Sequence, residues 1–257
     1  MKVELTEIAS SVRNAVLPLV GKAGASEIVG HGVDGAPSYG VDAVAEKAAI
    51  ESVERLGLKL NILSEESAYV DKGAAETLVI DPVDGSRNAI NNLPFFSVSL
   101  AVGSKNLSGI KYGLVMNIVT GDAYYGEKGK GATCNGTPMH TRQFEEKKSV
   151  FLVYVGTHAS ANAYDIMRKS SMVRSYGSAA LEMCLVASGS ADVFYMRSVD
   201  NEHALRIVDI AASSLILREA GGEVFDITGN IMDMRFDMAD RKSVIAVGDR
   251  SMRRLSL

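Results

Sequence analysis

Apolar positions recur at helical spacing from the start of the chain. Leu5, Ile8, Ala9, Val12, Val16 and Leu19 fall three or four apart until Gly21 and Gly24, which predicts an amphipathic helix. Residues 30–40 hold four glycines and Pro37 and read as a mobile loop. A second helix is predicted over 42–56, stopped by Gly57, with Asp42 placed to cap open backbone N–H groups. Short apolar runs at 59–63, 77–80, 95–102, 112–117 and 122–125 read as strands. The glycine-rich stretch 126–131 imitates a nucleotide-binding loop, but no helical pattern follows it. Asn135-Gly136 marks a hairpin turn there instead.

A polar run at 141–149 interrupts the pattern and serves as the expected boundary between an N-terminal unit, 1–148, and a C-terminal unit, 149–257. Beyond it come a strand at 150–155, a helix from 160, a strand at 171–176 and a helix at 178–187. A strand at 191–196 and a long helix at 204–220 follow, the helix stopped by Gly221-Gly222. Strands at 223–225 and 243–248 close the pattern. Helices mixed with strands in both halves predict layered α/β (α+β mixed) architecture.

Composition narrows the class. The chain has 257 residues, 47% hydrophobic and 23% charged, which is enough to bury a substantial core and argues against disorder. A formal net charge of -4 gives no support for a nucleic-acid partner. Cys134 and Cys184 lie far apart and read as reduced thiols. No run of about 18 apolar residues is present, and the first residues carry acids where a signal peptide has a basic head. The expectation is a cytoplasmic protein without a membrane partner.

The chemistry concentrates in acids. In 78–88 an apolar strand runs into Asp81-Pro82-Val83-Asp84-Gly85-Ser86. Carboxylates leaving a buried strand edge repel each other and call for a cation, and hard oxygen donors suit Mg²⁺. Gly85 and Ser86 open a short helix whose N–H groups and hydroxyl suit an anion. Ile62-Leu63-Ser64-Glu65-Glu66 repeats the pattern of a strand ending in acids, and Asp209 sits inside an apolar helical stripe. Together Glu65, Asp81, Asp84 and Asp209 supply oxygen ligands for two or three Mg²⁺ ions, with Mn²⁺ as a substitute.

These same residues carry a family resemblance. Ser64-Glu65-Glu66-Ser67, the 81–88 element, 174–184 and 208–222, taken in order, resemble the lithium-sensitive, Mg²⁺-dependent sugar phosphatase superfamily. Its members include inositol monophosphatase, fructose-1,6-bisphosphatase and 3′-phosphoadenosine 5′-phosphate phosphatase. The chain most resembles archaeal enzymes acting on both inositol monophosphate and fructose 1,6-bisphosphate. The resemblance implies an αβαβα layered sandwich, a homodimer, and hydrolysis of small sugar or polyol phosphates by direct attack of a metal-activated water. It also implies a set of roles: Glu65, Asp81, the Val83 carbonyl, Asp84 and Asp209 as metal ligands, and Asp42, Glu65 and Ser86 as catalytic groups. Glu66 would support the ligands, Gly85 and Ser86 would hold the phosphate, and Gly177, Ser178 and Ala179 would line the sugar pocket.

The resemblance has departures. Inositol-specific members commonly carry Trp before the last metal aspartate, whereas this chain has Val208 and no Trp at all. Counting from Asp209 places Glu202 as a polyol ligand, while counting from Phe194 places Arg197 as a phosphate ligand; both alignments stay open. Arg174, Arg197 and Arg206 are the cations expected to meet a distal phosphate. The 30–40 loop lacks the lysine often found in monophosphatase relatives, and His31 and Asp34 are its only side chains suited to assist a metal. A 3′-phosphoadenosine 5′-phosphate 3′-phosphatase is the alternative activity.

Overall fold

The computed structural model describes residues 1–31 and 37–256. Six α-helices are present among them: α1 (Lys2–Val16), α2 (Gly40–Arg55), α3 (Ser86–Ile90), α4 (Asn162–Met167), α5 (Ala179–Ala187) and α6 (Ile207–Glu219). The first ten strands are β1 (Ile28–His31), β2 (Pro37–Tyr39), β3 (Asn61–Ser64), β4 (Ala68–Val70), β5 (Thr77–Asp84), β6 (Ser97–Gly103), β7 (Ile110–Asn117), β8 (Ala123–Glu127), β9 (Gly131–Cys134) and β10 (Thr137–Met139). The remaining five are β11 (Val150–Val153), β12 (Met172–Arg174), β13 (Val193–Met196), β14 (Glu223–Asp226) and β15 (Val244–Val247).

Two sheets organise the molecule. One has eight strands in the order β10-β9-β8-β7-β6-β5-β3-β4, and the other has five in the order β12-β11-β13-β15-β14. Period-two alternation gives each strand two faces. In β5, Leu78 and Ile80 point into the core shared with α1 and α2, while Val79 points into the core shared with α5 and α6. In β13, Phe194 and Met196 face α5 and α6, while Val193 and Tyr195 join an outer core with Ala163 and Ile166 of α4 and with Met252. The layers therefore run α1/α2, eight-stranded sheet, α5/α6, five-stranded sheet, then α4 with a 3₁₀ turn at Arg250–Ser256. This is the αβαβα sandwich that the resemblance implied.

The middle layer explains a feature of the sequence. Every residue of α6 from Ile207 to Leu217 is buried, because sheets cover both of its sides. A helix in that position loses its polar face and becomes apolar all round. It also lies unusually close to the larger sheet. A Cβ at Gly113 of β7 would stand 2.8 Å from the Ala212 carbonyl oxygen, and one at Gly126 of β8 would stand 3.0 Å from the Ile216 Cα. Glycine at these two positions lets the helix settle onto the sheet.

Several expectations change. The segment read as a loop over 30–40 is flanked by an antiparallel ribbon, β1 with β2, and Gly40 already begins α2; residues 32–36, including Asp34, lie outside the described residues. Helix α2 thus starts before Asp42. Asp42 lies in its first turn and accepts the Tyr39 backbone N–H from there. The strand read as ending at Ile80 continues to Asp84 through a bulge: Asp81 pairs with Ser99 and Asp84 with Ser97. Pro82, which has no N–H to give, occupies the interrupted part of the ladder. The short, exposed β4 had no sequence signal strong enough to predict it. The hairpin at 131–139 is present, with β9 and β10 joined at Asn135-Gly136. No helix among the described residues is long and apolar enough to cross a membrane.

Substituting Gly113 by Ala drives a methyl group into the α6 backbone. The expected cost is about 1–3 kcal/mol, or roughly 2–10 °C in Tm for a chain of this size. A thermal melt of Gly113→Ala equal to the parent's would show that the helix does not need this close approach.

Candidate active site

Parallel pairing of β3 with β5 builds the centre. Ser64 is the register partner of Ile80, so the next residues of each strand, Glu65 and Asp81, emerge side by side. Asp209 arrives from the first turn of α6, in the layer directly above. One carboxylate oxygen each from Glu65, Asp81 and Asp209 lie within 4.8 Å of one another. Asp81 and Asp209 are buried and Glu65 is partly so.

Three acids in so small a volume are electrostatically costly. Burial, followed by repulsion from Glu65, Asp84 and Asp209, pushes the Asp81 carboxyl well above the ordinary aspartate range. Burial also raises Glu65, although Arg206 beside it works in the opposite direction. Arg206 is the local counter-charge. Its guanidinium binds Glu65 and lies 3.6 Å from Asp209 Oδ1, while its backbone N–H donates to Asp209 Oδ2 at 2.6 Å. Burial works against its charge, but Asp209 and Glu65 outweigh that and hold it protonated.

One cation does not satisfy the cluster. Asp81 Oδ1 is buried and has no hydrogen-bond partner among the described residues. An orphaned carboxylate oxygen beside two further acids is the mark of a site for a hard divalent cation. The donor set, all oxygen, fits Mg²⁺ or Mn²⁺ and not a thiol-seeking ion.

Asp84 uses its carboxylate differently. Oδ2 accepts from the Ser178 hydroxyl at 2.6 Å and from the Ala180 N–H at 2.7 Å, and Oδ1 accepts from the Ala179 N–H at 3.2 Å. It therefore sits on the N-terminus of α5, where a negative charge is favoured. Burial nevertheless lifts its pKa to about 7, with the Ser178 bond pulling it down and Asp209 pushing it up. Ser178 and Ala179 are thus engaged with Asp84.

Asp42, from α2, approaches the centre from the other side of the larger sheet. Burial pushes its carboxyl up to about 7; a hydrogen bond with Ser86 opposes this, and Glu65 and Glu66 reinforce it. The Ser86 hydroxyl donates to the Val83 carbonyl at 3.0 Å when its proton is not given to Asp42, so it stands between the Asp42 carboxyl and the end of β5. Gly85 precedes it in the left-handed region, at φ 93°. A Cβ there would lie 2.9 Å from the Gly177 carbonyl oxygen, so the α3 turn and the 174–178 segment meet only through glycine. Asn88 secures the junction by donating to the Phe95 and Tyr176 carbonyls at 2.7 and 2.6 Å.

A cavity of about 1010 Å³ opens over Arg206 and Asp209. Arg87, Tyr154, Glu202 and Arg241 contribute to its wall. Of the three arginines expected to meet a distal phosphate, only Arg206 borders it, and Arg206 is already paired with acids. Arg174 is exposed at the end of edge strand β12 and donates to the Val173 carbonyl. Arg197 turns toward the Tyr195 hydroxyl, whose ring belongs to the outer core. Between the two alignments left open above, Glu202 is the residue the fold puts on the cavity. Arg87 and Arg241 are wall residues to which sequence reading gave no role: Arg87 stands inside the 81–88 element beside residues that drew the attention, and Arg241 lies in no motif, 32 positions beyond Asp209 in the chain.

Comparison with known proteins decides the family. The model of the inositol monophosphatase family matches residues 6–255. The chain belongs to the inositol monophosphatase family. It is 37% identical over 256 residues to a fructose-1,6-bisphosphatase/inositol-1-monophosphatase of Methanothermobacter thermautotrophicus, covering 94% of this chain and 90% of that one. It is 33% identical over 278 residues to a bifunctional NADP phosphatase/NAD kinase of Methanococcus maripaludis, covering 96% of this chain and 47% of that one. A solved structure of an inositol monophosphatase-fructose 1,6 bisphosphatase superposes with a TM-score of 0.86 at 32% identity, covering 99% of this chain and 97% of that one. The protein is a phosphatase of this metal-dependent family.

The raised carboxyls have a thermodynamic consequence in the metal-free protein. The folded pKa of Asp42, about 7, exceeds its ordinary value of 3.8. The stability it contributes is therefore full below the unfolded pKa and is lost as pH rises through about 7. In EDTA, Tm is expected to fall between pH 5 and pH 8, and Asp42→Asn is expected to flatten that fall. A parent Tm that rose over this interval would contradict the burial assigned to these acids.

Proposed function

We propose that this phosphatase hydrolyses phosphomonoesters of small sugars or polyols, inositol 1-phosphate and fructose 1,6-bisphosphate in particular, with Mg²⁺ as cofactor. The observation that carries the reading is the trio of Glu65, Asp81 and Asp209, with an orphaned Asp81 oxygen, of which Asp209 lines an arginine-walled cavity. Glu65, Asp81, the Val83 carbonyl, Asp84 and Asp209 would hold two or three ions. Bound there, Mg²⁺ supplies neutralisation of the phosphate charge and acidification of water.

The chain's own groups do the rest. The Gly85 and Ser86 N–H groups receive phosphate oxygens at the start of α3. The Ser86 hydroxyl and Asp42 orient a water for in-line attack on phosphorus, with no covalent phosphoenzyme. Burial makes the Asp42 carboxyl a stronger proton acceptor than a solvated aspartate, which suits it to receive that water's proton. Glu66 reinforces the charge beside Asp42 and Glu65. Glu202 faces the polyol, and Arg87 and Arg241 place positive charge on the wall where a second phosphate is drawn in. The same reading has a cytoplasmic homodimer with no nucleic-acid or membrane partner.

A second reading is a nucleotide phosphomonoesterase, acting on a 2′- or 3′-phosphate of the kind in 3′-phosphoadenosine 5′-phosphate. Similarity to the Methanococcus NADP phosphatase/NAD kinase favours it, as does the cavity, about 1010 Å³, at the upper end of ordinary small-molecule sites.

Phosphate release measured side by side on inositol 1-phosphate, fructose 1,6-bisphosphate, NADP and 3′-phosphoadenosine 5′-phosphate separates the two readings. The first predicts a higher kcat/KM on the sugar and polyol esters. Asp81→Asn is expected to lower kcat about 100-fold or more while the far-UV spectrum stays unchanged. Near-parental Mg²⁺-dependent turnover in that variant would overturn the ligand assignment.

A further inference from the structure

Arg206 is buried beside the three acids, and its two ends do different things. Its backbone N–H donates to Asp209 Oδ2 at 2.6 Å and so fixes the start of α6. Its guanidinium Nη2 binds Glu65 Oε1 and lies 3.6 Å from the other Asp209 oxygen, Oδ1. One nitrogen thus spans two of the three acids that come within 4.8 Å of one another. It leaves Asp81 Oδ1 without a hydrogen-bond partner among the described residues.

A divalent ion shared by Glu65, Asp81 and Asp209 competes with the guanidinium for that space. Ligand distances of about 2.1 Å for Mg²⁺ leave no room for a nitrogen spanning the same oxygens. Two cations so close also repel strongly where water is excluded. The side chain has somewhere to go. Arg206 precedes α6 with an extended backbone, at φ -94° and ψ 171°, so its side-chain torsions turn without unwinding the helix. It already borders the cavity of about 1010 Å³. The neighbouring wall is held in place. His158 and His203 stack there with ring centroids 3.4 Å apart and planes 5° from parallel, and Ala159 and Ser198 join their two segments in an antiparallel bridge. Asp200 holds His203 Nδ1 at 2.8 Å.

We propose that Arg206 is a displaceable counter-ion: its guanidinium covers Glu65 and Asp209 in the metal-free protein, yields Glu65 to an arriving divalent cation, and turns into the cavity to receive an anionic oxygen of the phosphate ester. The inference rests on the metal reading of the trio and deepens it. One side chain then serves two stages. Before the ion binds, it offsets part of the repulsion among the acids. Afterwards it offers a planar pair of donors matched to a phosphate. The cost of the exchange is metal affinity, because every ion that enters must first displace a cation. A charged arginine at this position therefore makes the site weaker for metal and stronger for phosphate.

Two binding measurements on the full chain test this without turnover. Mn²⁺ affinity is read from the free-ion paramagnetic resonance signal, and inorganic phosphate affinity from calorimetry at saturating Mn²⁺. Arg206→Met is expected to tighten Mn²⁺ at least about tenfold and to weaken phosphate about tenfold. A general structural lesion would weaken both, so the opposite signs are the signature of the exchange. Arg206→Gln keeps a donor for Glu65 but removes the charge, and it is expected to move both affinities the same way. A folding failure of the methionine variant therefore leaves the test intact. Saturable Mn²⁺ binding in the parent that is unchanged or weaker in the variants, or undiminished phosphate affinity, would overturn the exchange alone. Absence of Mn²⁺ binding in the parent would overturn the metal reading and the exchange with it.

Discussion

Mutual repulsion among Glu65, Asp81 and Asp209 is the constraint around which the rest of the molecule is arranged. Confinement to a corner that excludes water raises the pKa of Glu65 and Asp81 and destabilises the metal-free fold unless positive charge joins the three acids. Arg206 supplies part of that charge from inside the chain, at the residue that starts α6. The Asp81 oxygen without a partner shows that this part is not enough. The surrounding layers keep the corner rigid: β3 and β5 run parallel so that their acids emerge together, and α6 is clamped between two sheets so that Asp209 cannot retreat into water.

The site also depends on glycine. Gly85 and Gly177 allow the phosphate-facing turn and the α5 entry to touch, and Gly113 and Gly126 allow α6 to seat on the sheet. In both cases a backbone comes within van der Waals reach of the position where a Cβ would stand. The chemistry of the centre is thus tied to packing decisions made several residues away. Asp84 illustrates the same coupling, because one carboxylate joins the end of β5 to the first turn of α5 through three hydrogen bonds.

Much of this was legible in the sequence, for identifiable reasons. Strand–acid junctions are local patterns, so Glu65 and Asp81 could be picked out before their parallel pairing was known. Asp209 was visible as a charge in a helix with no polar face. The layered architecture followed from strands and helices mixed in both halves and from the family motifs. What escaped was set by distance or by weak signal. Arg206 reads in the sequence as a cation for substrate, and only the fold shows it bound to Glu65, 141 positions away. His158 and His203 belong to loops with no motif, and their stacking depends on a backbone bridge between those loops. Arg174 and Arg197 were near the pocket elements in sequence but follow strand directions that lead them elsewhere. The β1–β2 ribbon was hidden by glycines, which carry no periodicity.

Anomalous diffraction from crystals grown with Mn²⁺, recorded at the manganese edge, bears most directly on the claim that the buried acids cage divalent ions. The account predicts at least one peak coordinated jointly by Glu65, Asp81 and Asp209, with the Asp81 oxygen that now lacks a partner among its ligands. A Mn²⁺-saturated crystal with no peak there, and with the Arg206 guanidinium alone neutralising the three carboxylates, would contradict it.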